Sequence, residues 1–146
     1  MMKQELSSNE FLKDFYVPAY NMVEAYWQKT SNTLTDELFK ESLKMYLNDI
    51  RKVKPSCVYV RTIDFFFTVS PELQSWVDNE IIAKMVQVGV KKAAFSVSSE
   101  LVIQLSVEQI FDEPIASMNL LTHFFPTEEE AKRWLLKKDI GVQKEI

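Results

Sequence analysis

Few side chains in this sequence could carry out covalent or acid–base chemistry, and their spacing narrows the choice. There is one cysteine, Cys57, and one histidine, His123. A thiol nucleophile needs a base beside it, so a Cys57–His123 dyad is the one cysteine-based arrangement to consider. A Ser–His–Asp triad would also have to use His123, and no nucleophile elbow is visible. The same two counts exclude an intrachain disulfide and a Cys/His metal cluster. Cys57 reads better as a small buried hydrophobe. His123, beside Phe124 and Phe125, reads as a partly buried strand residue. With only Gly89 and Gly141 as glycines, a Gly-rich phosphate loop is not expected. No cofactor is expected.

The remaining polar candidates gather between residues 61 and 72. Asp64 follows a predicted central strand, where open parallel sheets place their ligand sites. Asp64, Arg61 and Ser70 could therefore line a small polar site. Alternatively Asp64 is a turn residue bonded to its own backbone. Ser70-Pro71-Glu72 is a strong helix start. There Ser70 is either a capping hydroxyl worth about 1 kcal/mol or a phosphosite favoured by the free N–H groups of the helix end. A carboxylate-based enzyme would use Asp64 or Glu72, without a nucleophile, metal or cofactor motif to help it. Phe65, Phe66 and Phe67 cannot all point to one side. They either plug the core or leave at least one, Phe66 or Phe67, as a contact for a lipid or partner.

Positioning these residues requires alternating strands and helices. Residues 10–28 read as two strands broken at Pro18, rich in aromatic and β-branched residues. Residues 35–52 read as a helix: Thr35 caps it, Asp36 and Glu37 suit its positive end, and Phe39, Leu43, Leu47 and Ile50 share one face. Residues 56–63 form a strand that is apolar on both sides, hence interior. A second helix runs from Ser70 to Gly89, a residue suited to a left-handed C-cap. Residues 91–98 form the next strand. Residues 99–105 suit either state, and Ser106-Val107-Glu108-Gln109 resembles a capping box, with Pro114 closing that segment. Residues 118–125 form a final strand. Thr127 with Glu130 opens a last helix, with Ala131, Trp134 and Leu135 facing inward and Lys132, Arg133, Lys137 and Lys138 on a solvated face.

The expected order is β-β-α-β-α-β-α-β-α, an α/β domain with a mainly parallel sheet of four or five strands and about four helices. A single domain spans 10–138, with flexible ends at 1–9 and 139–146. At 146 residues, 47% hydrophobic and 26% charged, the chain has the balance of a soluble globular protein. Its net charge of −4 argues against a nucleic-acid partner. No apolar run is long enough to span a membrane, and the opening MMKQELSSNE lacks the features of a secretory leader. A cytoplasmic location is expected. Phe15, Tyr16, Tyr20, Tyr26 and Trp27 gather near the N-terminus, where an aromatic edge would offer a homodimer surface.

Four segments resemble a known family: LTDELFK (34–40), FFFTVSPELQSWVDNEI (65–81), KKAAFSV with LSVEQIFDE (91–97 and 105–113), and FFPTEEEAKRWL (124–135). They look like the STAS-like family of small bacterial α/β domains. That family is related to the anti-sigma-factor antagonists and shares a broad architecture with CRAL-TRIO lipid-binding domains. The resemblance covers roughly residues 20–136 and implies a sheet of four or five strands with helices around it. Anti-sigma antagonists carry an Asp-Ser-Ser-Gly-like turn with a phosphorylated serine. Here the matching turn is Phe67-Thr68-Val69-Ser70-Pro71, with Ser70 near the phosphoacceptor place but no acid or glycine beside it. The closer subfamily often has an acid where Arg61 stands. The resemblance implies a non-enzymatic bacterial regulatory or protein-interaction domain with a partner protein. The lipid-binding relatives suggest an alternative, a carrier or sensor of a small apolar or lipid-like ligand in a pocket lined by Phe66, Trp76, Met85 or Met118.

Overall fold

The computed structural model describes residues 2–98 and 100–137. Lys138 and the expected tail at 139–146 lie outside the described residues. Six strands, β1 (Gln4–Ser8), β2 (Leu12–Val17), β3 (Met22–Trp27), β4 (Cys57–Arg61), β5 (Lys92–Ser96) and β6 (Leu121–Phe125), form one sheet in chain order. β1, β2 and β3 pair antiparallel, whereas β3 to β6 pair parallel. The fold is therefore α/β, but the sheet is mixed and has six strands rather than four or five.

The added strand is β1, in a segment expected as part of a flexible end. Its sequence, QELSS, has no apolar alternation, and what fixes it is hydrogen bonding. Asn9 Oδ1 accepts from the N–H groups of Phe11 (2.8 Å) and Leu12 (2.9 Å), which makes the turn into β2. Ser7 donates to Asp49 from both its N–H and its hydroxyl, at 3.2 and 2.9 Å, and Asn9 donates to Ser42 at 3.0 Å. Asp49 and Ser42 belong to α1 (Asp36–Val53), so a helix holds the strand in place.

β4 is interior, as its two apolar faces imply. Val58 and Val60 face a large core shared with Phe39 and Ile50 of α1, Leu73 of α2 (Pro71–Val77), Met85 of α3 (Ala83–Gln87) and Val107 of α4 (Leu101–Ile110). Cys57 and Tyr59 face a smaller core with Ala131 and Leu135 of α6 (Glu128–Leu135). Right-handed crossovers between neighbouring parallel strands put the connecting helices on one face. Among the described residues only α6, after β6, covers the other.

The expected caps at Thr35, Ser70 and Thr127 all form, each hydroxyl accepting the N–H three residues on. Two local expectations fail. Ser106 does not begin a helix: it lies inside α4, donating to the Ile103 carbonyl at 2.7 Å and accepting from the Val69 N–H at 3.1 Å. Pro114 does not close a segment but occupies the first turn of α5 (Pro114–Asn119), so β6 starts later than expected. The N–H groups of Ile115 and Ala116 at that helix start are taken by Asp78, at 3.0 and 2.8 Å. Asp78 opens a π-turn (Asp78–Ile82) between α2 and α3. One extra residue in that turn re-aims side chains, and here the buried Asp78 carboxylate caps a helix far away in sequence.

Candidate functional site

The loop after β4 carries the residues singled out above. Arg61 Nη1 lies 2.8 Å from Asp64 Oδ2. The chain turns there through Phe65 N–H to the Thr62 carbonyl at 3.1 Å. Ser31 stitches the turn to the segment before α1, donating to the Asp64 carbonyl (3.0 Å) and accepting from the Phe66 N–H (2.8 Å). Asp64 thus sits in a turn and forms a surface ion pair with Arg61. Ser70 is half-buried and caps α2 through Leu73 N–H at 3.3 Å. Among the described residues no hydrogen bond or ion pair joins Ser70 to Arg61 or Asp64. Arg61 and Asp64 come together, and Ser70 takes part in other contacts.

The three phenylalanines divide. Phe65 is buried, its ring 4.7 Å from Trp27 and 6.2 Å from Phe39. Phe67 is half-buried against Phe39 at 5.2 Å, and Phe66 is half-buried.

Cys57 and His123 do not form a dyad. Cys57 pairs in register with Lys92, and Lys92 with Leu121. His123 therefore lies two strands across, roughly 10 Å away sideways, and two residues further along. Its exposed ring rests 4.7 Å from Trp134. Burial pushes the Cys57 thiol up, only partly countered by Ser56 and Lys92. Among the described residues, no group of three or more His, Cys, Asp or Glu side chains could hold a metal ion.

A polar cluster that no motif announced sits on the α6 face. Glu24 of β3 is 1% exposed, and its two oxygens meet Lys3 at 2.6 Å and Lys132 at 2.7 Å. The Tyr26 hydroxyl, with one proton to donate, lies 2.9 Å from Glu24 and 3.1 Å from Glu128, while the Tyr59 hydroxyl is 2.8 Å from Ser96 Oγ. Burial alone would raise the Glu24 carboxyl. Hydrogen bonds from Lys132, Lys3 and Tyr26 outweigh it and hold the group below its usual range. Two acids face two lysines, so the cluster is balanced and ties β1, β3 and α6 together. Lys3 also lies 5.1 Å from the Tyr26 ring and 5.5 Å from the Phe15 ring. Lys3 thus overlies Phe15 and Tyr26, whereas Tyr20 is exposed and Trp27 packs against Phe39 and Phe65. β1, rather than the aromatic strand β2, is the edge of the sheet.

The helical face holds two unusual features. Between sheet and helices lies a cavity of about 80 Å³, floored by Ala25, Val58 and Ala93 and walled by Phe39, Ile81 and Met85. Of the side chains expected to line a pocket, Met85 does, whereas Phe66, Trp76 and Met118 do not. Beneath β2, the Asp14 carboxyl is fully buried with neither oxygen hydrogen-bonded to a donor. Burial, then the adjoining Asp49 carboxylate, push it up to about 9. At neutral pH Asp14 is therefore an uncharged acid.

On the outside, α4 exposes Leu101 (80%), Val102 (69%) and Leu105 (53%). These occupy adjacent positions on one side of the helix, at i, i+1 and i+4. Gln104, Ser106, Val107 and Ile110 turn inward. Among the described residues, no helix is long and apolar enough to cross a membrane. The chain matches no model of a known protein family, no curated protein and no solved structure.

Proposed function

We propose that this chain is a non-enzymatic regulatory or protein-interaction domain that works through the outer face of α4. The observation that carries this is the joint exposure of Leu101, Val102 and Leu105. Burying a side chain of this size is worth about 1.5–3 kcal/mol, and an apolar stripe left in water on a structured helix points to something that covers it. The buried thiol and the separated His123 support a binding role over nucleophilic catalysis. In this reading the segments 34–40, 65–81, 91–97, 105–113 and 124–135 carry the resemblance to STAS-like domains. A free buried Cys57 suits the cytoplasm, where thiols stay reduced.

The test is site-specific photo-crosslinking in the cells that make the protein. A benzophenone side chain at Val102 is expected to give a discrete crosslinked protein band. The same group at exposed Lys44, on α1, is expected to give none. Equal bands at both positions, or none at Val102, would end the reading.

A second reading, uptake of a small apolar ligand, is favoured by the cavity. Its 80 Å³ compares with about 150 Å³ in an engineered cavity that stays dry and binds benzene. It suits a ligand of a few heavy atoms, or a larger one that displaces Met85. Benzene titration is expected to shift the methyl resonances of Met85 and Val58 in a saturable way. Ala93→Leu, which fills the floor, is expected to abolish those shifts, with Ala93→Val as the milder variant. Unmoved resonances in the native chain would reject it.

A further inference from the structure

We infer that the partner of α4 presents a basic amphipathic helix, with apolar side chains for the stripe and lysines or arginines for its surroundings. This rests on the interaction reading above and adds the chemistry of the occupant. The stripe is bordered by exposed Glu100, Glu108 and Asp112, with Glu113 half-buried. None of these four acids forms an ion pair with a described residue. Glu108 accepts only from Gln104 (2.8 Å), and Glu113 from Ser75 (3.2 Å). The acids of α6, by contrast, have basic neighbours one turn along, Glu128 with Lys132 and Glu129 with Arg133.

The charge is one-sided along the whole segment that carries α4. From Ala93 to Thr127 the chain has four acids, these same four, and no lysine or arginine. α2, packed against α4, adds only Glu72. Lys40 of α1 stands over the Trp76 ring at 5.4 Å. The field around the stripe is therefore negative, and it selects among the surfaces that could cover apolar side chains. An anionic membrane would set phosphates against Glu100, Glu108 and Asp112. A second copy docking by the same face would set acids against acids. A helix with cations flanking its apolar face gains on both counts, and α4 offers about three turns, roughly 15 Å, to lie along.

The test uses three synthetic helical peptides with one leucine face and, on the other face, lysine, glutamine or glutamate. Binding is followed by amide shifts of α4 at low and high salt. The lysine peptide is expected to perturb Leu101, Val102 and Leu105, to bind roughly tenfold tighter than the glutamine peptide, and to lose that margin in high salt. Glu108→Lys with Asp112→Lys, both exposed positions, is expected to reverse the preference towards the glutamate peptide. Equal binding of the lysine and glutamine peptides would overturn the basic-partner inference and leave the interaction reading standing. A lysine peptide unaffected by the double substitution, or one that leaves α4 unperturbed, overturns it too. So does binding of anionic phosphatidylserine vesicles through α4. The interaction reading falls separately, on a failed crosslink at Val102.

Discussion

Asp14→Asn is expected to make the protein more stable, by an amount that grows with pH. In the native fold Asp14 is fully buried and titrates at about 9, whereas an unfolded aspartate titrates near 3.8. Between those values folding takes up a proton. The unfolded state binds fewer protons, so stability falls as pH rises, by up to ~1.4 kcal/mol per unit for one group. Below the unfolded value the contribution is fully present, and above about 9 it is gone. Asparagine keeps the size of the neutral acid and an N–H donor for Asp49, and it has no proton to lose. At pH 8 the gain is expected to be on the order of 5 kcal/mol, shrinking to below ~1 kcal/mol at pH 4. Urea unfolding at both pH values checks this. A native stability that is flat from pH 5 to 8, or an asparagine variant weaker than the native chain at pH 8, would show that Asp14 is charged in the fold.

Phe65→Ala is expected to cost about 3–5 kcal/mol, the usual range for removing a buried aromatic. The ring is 2% exposed and lies among Trp27, Phe39 and Phe67. Its backbone closes the turn holding the Arg61–Asp64 pair, so the loop after β4 should loosen as well. Chemical denaturation measures the first effect and amide hydrogen exchange of residues 62–66 the second. A loss below about 1 kcal/mol would mean the neighbouring rings close the gap. Phe66→Ala, at a half-buried position, serves as the milder comparison.

The legible part of the fold was the part written locally. Val58, Val60, Cys57 and Tyr59 marked β4 as an interior strand because neighbouring residues face opposite sides. Thr35, Ser70 and Thr127 marked helix starts because a capping hydroxyl acts only three residues away. β1 was illegible because Ser7 and Asn9 find their partners, Asp49 and Ser42, on a helix more than thirty residues away. Ser106 misled because its hydroxyl bonds Ile103 and Val69 rather than capping. The cluster around Glu24 joins Lys3 to Lys132, and no spacing rule reaches across such a separation. Of the candidate site, Arg61 and Asp64 meet as an ion pair, three residues apart on one turn. Ser70 is close to them along the loop but not joined to them in space, since its hydroxyl caps α2. The α4 stripe was present in Leu101-Val102-Ile103, but which side meets water depends on the tertiary packing that turns Gln104 and Val107 inward.

The placement of α6 has a consequence for how the protein is made. A ribosome releases this chain from its N-terminus, so five strands and the helical face can assemble while α6 is still in the exit tunnel. Until then Val17, Met22, Cys57 and Tyr59 form an uncovered apolar floor, and Glu24 has Lys3 without Lys132. A message truncated before codon 128 would yield a nearly finished sheet with one greasy side. Such a product would offer that side to chaperones and proteases, so α6 works as a seal over this face of the sheet.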